Sequence, residues 1–68
     1  MEIIKLRDEF IKLGQALKAV GFTDSGVEAK IVIQNGLVKV NDVICTQRGK
    51  KIKKGDRVEF DNRGFVII

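Results

Sequence analysis

A chain of 68 residues and 7.6 kDa has room for one small core, because a domain of this size buries only about 60% of the surface its unfolded chain exposes. Thirteen Lys and Arg against nine Asp and Glu leave a net charge of +4 and a pI near 9.5, a balance that favours a polyanionic partner. The lack of His, the single Cys45 and apolar runs no longer than Phe65 to Ile68 argue against a His-based catalytic or metal centre, a disulfide scaffold, a zinc finger and a membrane span.

In chain order, Glu2 to Arg7 reads as a short strand, with Ile4 and Leu6 on one face and Lys5 and Arg7 on the other. From Phe10 the period changes. Phe10, Leu13, Leu17 and Val20 share one helical stripe, with Gly14 near the start of the regular part and Gly21 at the C-terminal cap. Ser25 and Glu28 form a capping-box pattern for a second helix. That helix turns Ala29, Val32 and Ile33 inward and stops at Asn35-Gly36. After Gly36 the period falls to two. Leu37 to Val40 reads as a strand, Asn41-Asp42 as a two-residue turn and Val43 to Cys45 as the returning strand. Lys39 points away from the face of Val38 and Val40. Lys54 to Asp56 is a second turn, Arg57 to Phe60 a strand, Asp61 to Gly64 a four-residue hairpin loop, and Phe65 to Ile68 the closing strand. These elements predict an α+β domain over 1–68, with two short helices packed on one face of a small antiparallel or mixed sheet.

One composition shift breaks the chain. Between Thr46 and Lys54 lie Arg48, Lys50, Lys51, Lys53 and Lys54, five of the thirteen basic residues, with no acid among them. Clustered cations of this kind neutralise phosphates and release counterions, so contact with about five phosphates gives a log-affinity against log-salt slope near −3.5 on a single strand. Arg48 offers a forked phosphate contact and the lysines act as mobile point charges.

The ordered set Leu13, Leu17, Gly21, Ser25, Ala29-Lys30, Ile33, Gly36, Val38, Val40-Asn41 and Gly55-Asp56 resembles the S-four-type RNA-binding domain, or alpha-L motif. Leu13-Gly14-Gln15, Leu17-Lys18, Ser25-Gly26 and Arg48-Gly49-Lys50-Lys51 are similar to its short stand-alone bacterial members. The chain departs from larger relatives at Gly26 and Lys30, where those carry Arg, and at Asn41-Asp42, where Asn-Gly is usual. Asp42 thereby puts a negative charge at the hairpin tip.

The resemblance implies a non-catalytic RNA-binding protein. Its leading targets are ribosomal RNA and ribosome assembly intermediates, followed by tRNA, with association to the ribosome itself in view. The chain is expected to be cytoplasmic and monomeric, with no cofactor, no membrane partner and no preference for DNA. The residues expected to contact RNA are Gln15, Lys18, Ser25, Gly26, Lys30, Lys39, Arg48, Lys50, Lys51, Lys53 and Lys54. The start of the Ser25 helix adds outward-facing amides. With Phe10, Phe60 and Phe65 assigned to the core and Phe22 as a staple, stacking on splayed bases is disfavoured, and structured RNA is expected to be read by shape and backbone. The alternative is a protein-interaction adaptor whose basic strip docks an acidic partner.

Overall fold

The computed structural model describes residues 2–68. Met1, the first residue of the expected 1–68 unit, lies outside the described residues. The chain runs β1 (Glu2–Ile4), β2 (Ile11–Lys12), α1 (Leu13–Ala19), α2 (Gly26–Gln34), β3 (Val38–Val40), β4 (Val43–Ile44), β5 (Lys51–Ile52), β6 (Arg57–Phe60) and β7 (Arg63–Ile67). Five strands form one sheet in the order β1-β7-β6-β3-β4, and β2 pairs with β5 in a separate two-stranded sheet. Only β1 against β7 is parallel, so the larger sheet is mixed.

The first strand is shorter than its alternation suggests and ends at Ile4. The alternation itself holds beyond the strand. Ile4 and Leu6 pack against the core while Lys5 and Arg7 are exposed, and Leu6 N–H donates to the Ile68 carbonyl at 2.8 Å.

Phe10 does not join the first helix. Ile11 and Lys12 are extended and pair with Ile52 and Lys51, so α1 starts at Leu13. Leu13, Ala16 and Leu17 are fully buried, and Gly21 takes φ +79° just past the helix end, where a side chain is disfavoured. At α2 the Ser25 Oγ accepts from the Glu28 amide at 3.1 Å, a cap that stabilises by about 1 kcal/mol. Ala29 and Ile33 are fully buried, and Gly36 closes the helix at φ +75°.

Two tight turns shape the sheet. Asn41 and Asp42 have φ of 51° and 70°, and Asp61 and Asn62 have 54° and 61°. Two successive left-handed residues match the twist of the flanking strands, as in type I′ hairpins. The second turn corrects the four-residue loop expected over Asp61 to Gly64. Arg63 and Gly64 already belong to β7, opposite Phe60 and Glu59, because Asp61 and Asn62 make the reversal alone.

The inner sheet face carries Val38, Val40, Val58, Phe65 and Ile67, and packs with Leu13, Ala16, Leu17, Ala29 and Ile33 from the helices. Phe22 and Phe65 meet edge to face at 5.6 Å between centroids. The helices therefore lie on one face. Lys39 stands on the other, opposite Ile44 on one side and Glu59 on the other. Among the described residues no helix is long and apolar enough to cross a membrane.

Candidate nucleic-acid interface

A helix start leaves backbone amides without intrahelical partners. In α1 these amides go to the basic segment: Leu13 N–H donates to the Lys50 carbonyl at 2.9 Å and Gly14 N–H to the Arg48 carbonyl at 3.0 Å. Ile52, the one apolar residue among the lysines, is fully buried. Backbone and Ile52 thus face the core, while Arg48, Lys50, Lys51, Lys53 and Lys54 are all exposed. A Cβ built on Gly14 would sit 3.6 Å from Arg48, so the loop lies directly against the helix start.

This docking creates a shallow cleft of about 280 Å³ lined by Lys12, Gly14, Gln15, Gly26, Arg48 and Gly49. The cleft brings together the first turns of both helices and the tip of the basic loop. Gln15 Oε1 accepts from the Lys12 amide at 3.3 Å, which leaves its NH2 group free to donate. The Ser25 hydroxyl is committed to its own helix cap. Lys18 lies three residues beyond Gln15 on α1, and Lys30 four beyond Gly26 on α2. At these spacings each stands one turn up from a cleft residue on the same helical side.

A second depression, sharing Gly49, is lined by Glu9, Phe10, Gln47, Lys50, Lys51 and Lys53. The Lys51 ammonium sits 4.8 Å from the Phe10 ring centroid. Lys53 and Lys54 also border Arg7, Asp8 and Glu9, whose two carboxylates temper the positive charge there. Lys39 is not brought to this side; it occupies the outer sheet face.

Among the described residues the ion pairs are those of Arg57, with Asp42 at 2.6 Å and Glu59 at 3.5 Å. Among the described residues the cations of the basic segment have no carboxylate within pairing distance. The Arg57 hydrogen bond and charge hold the Asp42 carboxyl below its usual value, so the negative charge at the hairpin tip is matched by a local cation. At the same corner Asn41 donates from Nδ2 to Asp56 at 3.0 Å and accepts from the Arg57 amide at 2.9 Å, while Asp56 accepts from the Lys53 amide at 2.8 Å. This network ties the end of the basic segment to the β3–β4 turn.

Lys12 is the charged cleft residue that sequence reasoning missed. Its place depends on pairing between two strands of two residues each, which are too short to leave a periodicity. None of the four phenylalanines is exposed: Phe22 and Phe65 are buried, and Phe10 and Phe60 half-buried. The Arg63 guanidinium covers Phe22 at 4.4 Å from its centroid. No group of three or more acidic or Cys side chains among the described residues is placed to hold a metal ion.

Comparison with known proteins agrees with this architecture. The S4 domain family profile matches residues 4–68. The Escherichia coli protein YbcJ is 34% identical over 58 residues, covering 85% of this chain and 83% of that protein. The Bacillus subtilis "Probable ribosome maturation protein RlbA" is 39% identical over 66 residues, covering 96% and 93%. The solution structure of YbcJ, described as an alpha-L motif involved in RNA binding, superposes with a TM-score of 0.77 at 32% identity, over all of this chain and 87% of that one. Two helices on a mixed sheet, a match along nearly the whole chain and relatives of similar length lead to one conclusion: the chain belongs to the S4 domain family and carries the alpha-L motif.

Proposed function

We propose that this protein is a non-catalytic, monomeric RNA-binding domain spanning 1–68, acting in the cytoplasm on structured RNA. Ribosomal RNA or a ribosome assembly intermediate is the first target and tRNA the second. The observation that carries this reading is the basic segment. Its backbone is hydrogen-bonded to the start of α1, and its five cations project to solvent without ion pairs among the described residues. Such an array meets a phosphate backbone without first breaking internal salt bridges.

In this reading Arg48, Gln15 and Gly26 border the central contact. Lys18 and Lys30 extend it along the helices, and Lys50, Lys51, Lys53 and Lys54 along the loop. Lys39 makes at most a long-range electrostatic contribution. Buried and half-buried aromatics favour recognition of shape and backbone over base stacking. The name of RlbA supports a ribosomal target, and the description of YbcJ supports RNA as the ligand class.

The test is binding to bulk rRNA and tRNA across a salt series. Five phosphate contacts give a slope of about −3.5 to −4.5, and neutralising Arg48, Lys50 and Lys53 together should lower its magnitude by about 2. Lys39→Gln should leave the slope nearly unchanged. A flat wild-type response would reject the reading. A second reading, docking of an acidic protein, draws on the depression where exposed Val43 and Ile44 meet Gln47 and Lys50. A stoichiometric protein complex that survives nuclease would select it.

A further inference from the structure

The register of the two-stranded sheet sets Lys12 directly opposite Lys51. Like charges in this relation destabilise a strand pair. A sheet of two residues per strand has little stability of its own with which to absorb that cost. No carboxylate lies within ion-pair distance of either lysine among the described residues. Both side chains are exposed, and both backbones are fixed. Lys12 N–H donates to Gln15, and the chain continues at once into α1, whose first amide holds the Lys50 carbonyl. Phe10, just before β2, holds the Lys51 ammonium over its ring. On the other face of the pair, Ile52 is fully buried, so neither strand can turn its lysine away without exposing core.

We infer that β2 and β5 form a phosphate clamp, in which Lys12 and Lys51 close on one backbone phosphate of bound RNA. The clamp rests on the RNA-binding reading and adds to it a residue and a mechanism. In the free protein the register sets two like charges at one cross-strand position. A phosphodiester between them is attracted to both, so ligand binding removes a strain that the free fold carries. Lys12 also lines the cleft with Arg48, so the clamped phosphate lies next to the one that Arg48 can grip. The occupant must be a polyanion with closely spaced charges, which an RNA backbone supplies.

The clamp predicts opposite effects of one substitution on stability and on binding. Lys12→Glu should raise the melting temperature of the free protein by about 2–6 °C at low salt. That gain should vanish near about 1 M salt, where the Debye length is about 3 Å. The same substitution should weaken rRNA binding about tenfold and reduce the magnitude of the salt slope by about 1. Lys12→Gln, which removes the charge without reversing it, should fall between the two on both measures. The clamp is overturned if Lys12→Glu and Lys12→Gln leave affinity and slope at wild-type values while the Arg48, Lys50 and Lys53 variant weakens binding. It is equally overturned if neither Lys12 variant gains stability at low salt. Wild type showing no salt-dependent binding would instead reject the parent reading, and the clamp with it.

Discussion

Asn41 and Asp56 show how single side chains set the position of the basic segment. Asn41 sits at φ 51°, a conformation Asn tolerates better than most residues. From there it bonds both Asp56 and the Arg57 amide. Burial pushes the Asp56 carboxyl up. The Lys53 amide, the Asn41 amide and the charges of Lys53 and Lys50 outweigh it, leaving the group below the usual carboxylate range. A carboxylate depressed in the folded state stabilises the fold above its unfolded pKa, and that contribution is lost as pH falls through the folded value. Asp56→Asn should therefore lower the urea midpoint at pH 7, and the gap to wild type should narrow below about pH 4. An equal gap at both pH values would show that Asp56 acts through shape alone.

At the level of elements, the decisive piece is β5. Ile52 anchors a run of lysines that would otherwise be free to leave the surface. Ile52→Val should cost about 0.5–1.5 kcal/mol and Ile52→Ala about 2–5 kcal/mol in denaturant unfolding. If the anchor works as described, RNA affinity of the folded fraction falls with the Ala variant more than with Val. The helices and the β3–β4 hairpin were legible in the sequence because their signals are local. Ser25 with Glu28 marks a start, Gly21 and Gly36 mark stops, and Val38 and Val40 alternate around Lys39. The pairing of β2 with β5 was not legible, since two residues per strand cannot display a period and their partners lie some forty residues apart in the chain. Phe10 falls on the helical stripe of the sequence for the same reason. Its spacing to Leu13 fits a helix, but the extended pairing of Ile11 and Lys12 takes precedence. Gly64 has the composition of a turn residue and so lengthens the loop expected from the sequence, although it lies within β7.

Across the whole molecule, the arrangement divides cations between two sides. Lys12 and Arg48 line one depression and Lys50, Lys51 and Lys53 a second, and the two share Gly49. The outer sheet face carries Lys39 beside Glu59 and Ile44. The sequence showed that the basic segment was concentrated, but the side of the fold to which each cation belongs required the register of the strands. Lys39 illustrates the limit: alternation puts it on the face away from Val38 and Val40, yet alternation alone does not say which other cations share that face.

The most direct measurement is an amide chemical-shift titration of the protein with a structured rRNA fragment. The account predicts perturbations concentrated at Lys12, Gly14, Gln15, Gly26 and the stretch from Gln47 to Lys54, with Lys39 and Glu59 nearly silent. Perturbations centred on Lys39 and Glu59, with the helix starts and the basic loop unmoved, would contradict it.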